Sequence, residues 1–339
     1  MDYLLVLGGL ALLIFGGEGL VRGSVSVARK LNISELVIGL TLVGCGTSMP
    51  ELVTSLRAID TGAVGISLGN VMGSNVANIL LVLGLAALVR PILTNPNALK
   101  RDIAVVIAAT AVLCGLIWVD GFTRLAGFVL LAALILYIAL SLIADQKGNT
   151  PEAELHAGEG EIVTAEFGMT KGLLVAGAGL AGIIYGASLL VDGAVGIARN
   201  LGVGETVIGM SIVAVGTSLP ELATSLVAAR RGKADVALGN IIGSNIFNIL
   251  GILGVTALVH PFSTLRNHAG DVAGEAMQGG GQSIVTSTDI GALILSLVFL
   301  ILFAVTGRRI ARWEGGLLLG GYVLYMGLLF NLIPVPALF

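Results

Sequence analysis

Apolar segments long enough to cross a membrane alternate with short polar connections along nearly the whole chain. A helix needs about 20 predominantly apolar residues to span a hydrocarbon core about 30 Å thick. Segments of this kind predict ten membrane-spanning helices, near residues 3–28, 35–58, 66–90, 102–119, 122–143, 171–198, 205–229, 236–259, 286–306 and 314–332. The first and sixth segments are long and interrupted by glycines, so we expect them to tilt.

The first five segments and the last five repeat each other at a constant offset of 170 residues. Glu51 corresponds to Glu221 and Ser74 to Ser244, and the match runs without a gap from about residue 28 to 91. Because five crossings is an odd number, the second copy must enter the membrane in the opposite sense. The sequence therefore predicts an all-α polytopic membrane protein, with ten transmembrane helices in two inverted-topology repeats of five. That architecture is typical of secondary transporters.

Three parts follow from the repeat: a first five-helix repeat at 1–143, a linker at 144–170 and a second, inverted repeat at 171–339. The acidic linker is interpreted as a solvated tether, which its composition favours over a regulatory calcium site. Fourteen of the eighteen Lys and Arg residues fall on one side of a ten-helix topology. The positive-inside rule makes that side cytoplasmic. We therefore predict a multi-pass protein of the cytoplasmic membrane with both termini external and the linker cytoplasmic.

Composition supports the membrane class, because 56% of the residues are hydrophobic, 12% are charged and the mean hydropathy is +0.99. These values exclude an ordinary soluble domain. The first segment lacks the basic start of a cleavable signal peptide. Cys45 and Cys114 lie in apolar segments and are interpreted as buried thiols, and no Cys or His spacing is typical of a metal centre. No cofactor, nucleic acid or obligatory protein partner is predicted; the expected partners are the lipid bilayer and ions.

Two glutamates lie at membrane depth inside interrupted apolar segments. Glu51 ends the sequence Gly-Thr-Ser-Met-Pro-Glu, and Glu221 ends the matching Gly-Thr-Ser-Leu-Pro-Glu. Such a carboxylate is costly unless it faces a partner or a wet cavity. The alternative is a capping box with Ser48 at the N-cap and Glu51 three residues later. Because two such carboxylates recur at the same depth, a functional role is favoured, and capping would then serve to aim them.

The third and eighth segments carry a second repeated motif, Gly-Asn-x-x-Gly-Ser-Asn. Ser74 lies in the first copy and Ser244 in the second. Asn78 and Asn248 follow four residues later, so each shares a helix face with its serine. Hydrogen bonding between helices is the alternative role of these side chains. It applies above all to the asparagines within the motif, Asn70, Asn75, Asn240 and Asn245.

The polar groups expected near the middle of the membrane are all hard oxygen ligands. They are two carboxylates, amide oxygens, backbone carbonyls freed by broken helices and the hydroxyls of Thr47, Ser48, Thr217 and Ser218. Such ligands favour calcium, sodium or protons and disfavour zinc, copper and iron. One Ca²⁺ neutralises both glutamates, and so do two monovalent cations. Ca²⁺ and monovalent cations would therefore compete for one site, which is the requirement for exchange.

At these two motifs the chain resembles the calcium/cation antiporter superfamily, and the sodium/calcium exchangers in particular, over nearly its whole length. The resemblance implies a secondary antiporter that exchanges Na⁺ for Ca²⁺ by alternating access, with the first and sixth segments as a sliding pair. It implies that Glu51 and Glu221 hold the central ion. It further implies carbonyl ligands from Thr47 and Thr217, sodium sites lined by Ser48, Ser74, Ser218 and Ser244, and weaker carbonyl ligands at Gly44 and Ala214.

Asn78 and Asn248 discriminate within the superfamily, some members of which have Asp at the second position. Two asparagines resemble the potassium-independent exchangers, and the intact Ser and Thr positions favour sodium as the counter-ion. A proton-coupled calcium exchanger of the same superfamily is the alternative. Two alternatives come from other functional classes. One is a passive cation channel, and the other is an intramembrane hydrolase that uses Glu51 and Glu221 as an acid/base pair. The lack of a nucleophile–base arrangement counts against the hydrolase.

Overall fold

The computed structural model describes residues 1–94, 96–146, 167–201, 214–264, 285–306 and 309–329. These residues form the helices α1 (Asp2–Leu31), α2 (Glu35–Thr47), α3 (Met49–Asp60), α4 (Val64–Val89), α5 (Pro96–Trp118), α6 (Arg124–Gln146), α7 (Met169–Asn200), α8 (Ala214–Gly216), α9 (Leu219–Arg230), α10 (Ala234–Val259), α11 (Ser287–Thr306) and α12 (Arg312–Leu329). Two short strands, β1 (Ile92–Leu93) and β2 (Arg309–Ile310), pair in antiparallel orientation with Ile92 opposite Ile310.

Seven helices among the described residues are long and apolar enough to cross a membrane. The pair α2 and α3, bent by 42°, makes an eighth if it is one span. An all-α, multi-pass membrane protein is thereby confirmed. The total of ten helices stays a prediction, because parts of the seventh and tenth apolar segments lie outside the described residues, as does most of the acidic linker.

The helices α4 and α10 form the centre of the structure. Of their most apolar stretches, 78% and 89% are buried, against 28% to 33% for the other single-helix spans. Both central helices contain a π-helical segment, at Asn78–Leu83 and at Phe247–Ile252, and a third such segment, Gly39–Val43, lies in α2. Such segments are rare and are frequent at functional sites. The hydrophobic pattern of the sequence did not predict them.

Local geometry recurs between the two repeats. The helices α3 and α9 begin at Met49 and Leu219, each directly after a serine and with a proline in the first turn. The turns that follow them contain Gly62 and Gly232, both at φ 75°. This left-handed backbone conformation favours glycine, because a side chain there is strained. The offset of 170 residues seen in the sequence is thus also an offset in structure.

The helices α1 and α7 pack in antiparallel orientation along a seam of glycines that recur every seven residues. A Cβ at Gly9 would lie 2.6 Å from the Gly186 carbonyl oxygen, and one at Gly16 would lie 2.8 Å from the Gly179 carbonyl oxygen. Small residues allow membrane helices to approach this closely. The seam therefore joins the two long helices that correspond to the first and sixth apolar segments.

We expect Gly179→Ala to lower the thermal stability of the protein, because a Cβ at Gly179 would lie 2.3 Å from the Leu20 backbone nitrogen. Overpacking of this kind typically costs about 1–3 kcal/mol. Gly177→Ala is the matched control on the same helix, since its Cβ would meet no described atom within 4 Å. Thermal unfolding of both variants in detergent measures the difference. Equal unfolding temperatures would contradict the close packing of α1 on α7.

Candidate functional site

Glu51 and Glu221 lie in the first turns of α3 and α9, directly after the helix breaks at Ser48 and Ser218. Both glutamates are buried, with exposed fractions of 0% and 1%. Neither carboxylate takes part in any of the ion pairs found among the described residues. The two glutamates lie near each other, because Ser48, three residues before Glu51, contacts the Glu221 carboxylate. The structure thus holds two buried acidic groups without a basic counter-charge in its described part.

The capping-box interpretation is wrong, because neither serine side chain caps its own helix. An N-cap residue usually has an extended backbone, whereas ψ is 9° at Ser48 and 4° at Ser218. The Ser48 hydroxyl instead donates a hydrogen bond of 2.8 Å to Oε1 of Glu221, in the other repeat. Ser244 Oγ donates to the same carboxylate oxygen at 3.4 Å. Ser48 therefore serves the glutamate of the opposite repeat.

A cluster of hydrogen bonds joins the end of α2 to α10. Ser244 Oγ donates to the Gly44 carbonyl oxygen at 3.2 Å, and Thr47 Oγ1 donates to Asn240 Oδ1 at 3.1 Å. Position 44 must be small, because a Cβ there would lie 2.9 Å from the Ser244 backbone nitrogen. The structure thus brings together five of the predicted site residues: Gly44, Thr47, Ser48, Glu221 and Ser244.

The equivalent groups of the other half of the site are Ser74, Ala214, Thr217 and Ser218. Ser74 is buried and Thr217 is half-buried. The Ser218 hydroxyl has no hydrogen-bond partner within the described part of the chain. Ala214 begins the one-turn helix α8, and residues 202–213 before it lie outside the described residues. The roles predicted for these four residues therefore stay predictions.

Two glycines of α10 allow close packing against α2, whereas the segment equivalent to α2 in the second repeat lies largely outside the described residues. A Cβ at Gly239 would lie 2.5 Å from the Leu36 carbonyl oxygen, and one at Gly243 would lie 2.2 Å from the Leu40 carbonyl oxygen. The first half of α10 is therefore packed directly against α2. At the equivalent positions of α4, Gly69 and Gly73, an added Cβ would meet no described atom within 4 Å.

Several buried oxygens of the predicted site have no hydrogen-bond partner among the residues described. They are both carboxylate oxygens of Glu51, Oε2 of Glu221 and the Oδ1 atoms of Asn78 and Asn248. Burying such atoms is costly unless another group binds them, and as acceptors they suit a cation. Among the described residues no three His, Cys, Asp or Glu side chains gather in one place. The acidic charge offered to a cation is therefore that of the two glutamates, which one divalent or two monovalent ions would balance.

Two asparagines of the second motif have the alternative role predicted for them from the sequence, hydrogen bonding between helices. Asn70 donates to Ser55 Oγ at 2.9 Å and to the backbone carbonyl of the site glutamate of its own repeat at 3.1 Å. Asn240 does the same with Ser225 at 2.9 Å and with its own site glutamate at 3.3 Å. These bonds hold α4 against α3 and α10 against α9. The recurrence of the two serines at the 170-residue offset was the signal in the sequence.

Comparison with known proteins identifies the group to which this arrangement belongs. The chain matches the sodium/calcium exchanger protein family over residues 1–143 and 171–331. The chain belongs to the sodium/calcium exchanger family. Its relatives include the putative antiporter CaxA of Alkalimonas amylolytica, which is 38% identical in sequence over 96% of this chain and 98% of CaxA. The sodium/calcium exchanger MaX1 of Methanosarcina acetivorans is 35% identical, over 97% and 99%.

The fold of this exchanger-family chain is similar to that of the sodium-calcium exchanger NCX_Mj. The TM-score is 0.76 at 35% sequence identity, over 96% of this chain and 97% of NCX_Mj. The resemblance inferred from the two motifs is confirmed. Family membership also places the chain among transporters rather than enzymes, which removes the hydrolase alternative.

Proposed function

We propose that this protein is a secondary antiporter that exchanges Na⁺ for Ca²⁺ at one site between Glu51 and Glu221. The observation that carries the proposal is the pair of buried carboxylates with no basic partner among the described residues. Repulsion between two such charges is strong where the dielectric constant is low. The site must therefore reload with one Ca²⁺ or with Na⁺ before the protein changes state, and this requirement couples the two fluxes.

The oxygens of the site divide into charged and neutral ligands. Glu51 and Glu221 hold the central cation, and neutral oxygens beside them complete the shell, as Ca²⁺ and Na⁺ require. Among these neutral oxygens the Gly44 carbonyl is the least available, since the hydroxyls of both Thr47 and Ser244 lie within hydrogen-bond distance of it. The neutral ligands are the backbone carbonyls of Thr47, Thr217, Gly44 and Ala214, the hydroxyls of Ser48, Ser74, Ser218 and Ser244, and the amide oxygens of Asn78 and Asn248.

Alternating access is supported by the close contact of α2 with α10 within a pair of inverted repeats. The contact of α2 with α10 through Gly239 and Gly243 closes one side of the site. Because the repeats are inverted, an equivalent contact through Gly69 and Gly73 would close the other side. Exchange then consists of closing the two contacts in turn, so that the site opens to one side of the membrane at a time.

Contacts between loops support the proposed ten-helix topology, and the positive-inside rule supplies its orientation in the cytoplasmic membrane. The pairing of β1 with β2 joins two loops that the ten-helix topology assigns to the cytoplasm. Thr264 Oγ1 donates to Asp120 Oδ1 at 2.8 Å, which joins two loops assigned to the outside. We expect a cysteine placed within 148–160 to react only with a thiol reagent on the cytoplasmic side, and one within 279–281 only from outside. Reaction of both from the same face would refute the ten-helix topology.

Flux into proteoliposomes tests the proposed function and its counter-ion. We expect an imposed sodium gradient to drive uptake of radiolabelled calcium equally well with potassium or choline as the other monovalent cation. The reason is charge: with only two carboxylates, a K⁺ beside Ca²⁺ would leave excess positive charge at low dielectric. An absolute requirement for potassium would contradict this expectation. Uptake driven by a pH gradient and indifferent to sodium would instead select proton coupling.

A further inference from the structure

Two reciprocal hydrogen bonds between amide side chains join the central helices of the two repeats. Asn78 Nδ2 donates to Asn245 Oδ1 at 3.2 Å, and Asn248 Nδ2 donates to Asn75 Oδ1 at 3.2 Å. All four side chains are at most 1% exposed. Each repeat thus contributes one donating and one accepting asparagine, and each bond crosses from one repeat to the other.

In both bonds the amide four residues after the site serine donates, and the amide directly after the site serine of the other repeat accepts. The atoms left without a partner among the described residues are the Oδ1 atoms of Asn78 and Asn248 and the Nδ2 atoms of Asn75 and Asn245. The two free oxygens belong to the asparagines that share a helix face with the site serines. The two free amino groups belong to asparagines on a different face of the same helices.

Asn75 and Asn245 line a small pocket between α4, α5, α10 and α11. Apart from these amides and Thr110, its walls are apolar. The apolar residues are Ile79, Val106, Ile249, Leu293 and Leu297. An asparagine is a poor choice for such a pocket on packing grounds, because an apolar side chain would match the walls without an unpaired donor.

We propose that Asn75 and Asn245 are positioning residues that keep the amide oxygens of Asn248 and Asn78 turned towards the transported cations. The inference rests on the proposed function. An asparagine side chain can present either its oxygen or its amino group to a neighbour, and only the oxygen attracts a cation. The acceptor on the opposite repeat engages the amino group and leaves the oxygen for the ion. Partners that orient a ligand in this way commonly have a large effect on metal affinity.

The first test separates orientation from packing. We expect Asn75→Leu and Asn245→Leu each to weaken binding of Ca²⁺ or Na⁺ about 10- to 100-fold. We expect the unfolding temperature without ions to change little, because each leucine removes one unpaired Nδ2 atom but leaves the Nδ2 atom of Asn248 or Asn78 without its acceptor. Equilibrium binding of radiolabelled Ca²⁺ and Na⁺ to the purified full-length protein, with thermal unfolding alongside, measures both quantities. Leucine variants that bind both ions like the unmodified protein would overturn the proposal.

The second test uses the crossed pattern of the bonds. If Asn75 acts through Asn248, Asn75→Leu should cause no further loss of affinity in a protein that already carries Asn248→Ala. In a protein that carries Asn78→Ala, it should weaken binding as much as it does in the unmodified protein. Asn245 should show the opposite pattern. Interacting residues give such non-additive effects and independent ones do not. Equal additivity in both backgrounds would overturn the proposal.

Folding and function are controlled separately in these tests. Asn75→Ala removes the same acceptor without adding bulk, and it replaces the leucine variant in the cycle if that variant does not fold. If the unmodified protein binds neither Ca²⁺ nor Na⁺, the proposed function itself is wrong. If it binds them and the cycle is additive, only the positioning role is wrong.

Discussion

Glu51→Gln and Glu221→Gln are each expected to abolish calcium exchange in a protein that still folds. With one carboxylate left, a bound Ca²⁺ keeps an uncompensated positive charge in a buried site. Because Ca²⁺ is divalent, loss of one unit negative charge about 4 Å away costs about 8 kcal/mol at an effective dielectric constant of about 20. That corresponds to a loss of affinity of about a millionfold. Equilibrium calcium binding and flux in proteoliposomes measure the loss.

The two variants should differ in stability without ions. Both oxygens of Glu51 have no partner in the described part of the chain, whereas Oε1 of Glu221 accepts from Ser48 and Ser244. Glu51→Gln therefore removes the less compensated charge and should raise the ion-free unfolding temperature more. Glu314→Gln is the control for a buried glutamate outside the site, since Glu314 accepts from the Ala311 backbone nitrogen at 2.6 Å. Exchange at the unmodified rate in either site variant would show that its glutamate is not a ligand.

Gly243→Ala is expected to open the side of the site that α2 and α10 close. Its Cβ would lie 2.2 Å from the Leu40 carbonyl oxygen, so the two helices must separate. A cost of about 1–3 kcal/mol for this overpacking changes the equilibrium between states about 5- to 150-fold. A cysteine at Leu36, which is 2% exposed and belongs to the same contact, reports the opening. In a background without Cys45 and Cys114, its reaction with a cytoplasmic thiol reagent should accelerate.

Gly73→Ala is the matched control at the equivalent position of the other repeat. Its Cβ would meet no described atom within 4 Å. It should therefore leave the α2–α10 contact closed and the cysteine at position 36 unreactive. Because alternating access places Gly73 in the opposite contact, the variant should still slow exchange, by disfavouring the other state. Equal opening of the α2–α10 contact by both alanine variants would contradict this account.

The fold class could be predicted from the sequence because hydrophobic length and a constant offset are local properties. Twenty apolar residues predict a span wherever they occur, and the 170-residue match predicts a second copy of the same elements. The π-helical segments could not be predicted in this way. At Asn78–Leu83 the segment changes the direction of side chains without changing which residues are apolar.

The set of site residues was more predictable than their partners. Residue type and spacing placed Glu221, Ser244 and Thr47 in one site, and the structure brings them together. The capping interpretation of Ser48 failed because the acceptor of its hydroxyl is the glutamate of the opposite repeat, 173 positions away. The bond from Asn248 to Asn75 joins residues 173 positions apart, and a single sequence contains no signal for it.

The central claim is that Ca²⁺ and Na⁺ compete for one site between Glu51 and Glu221. Equilibrium binding of radiolabelled calcium to the purified protein, titrated with sodium at several calcium concentrations, tests this claim most directly. We predict complete displacement of calcium, with a half-displacing sodium concentration that rises as calcium is raised. Calcium that stays bound at saturating sodium, or displacement that does not depend on the calcium concentration, would contradict it.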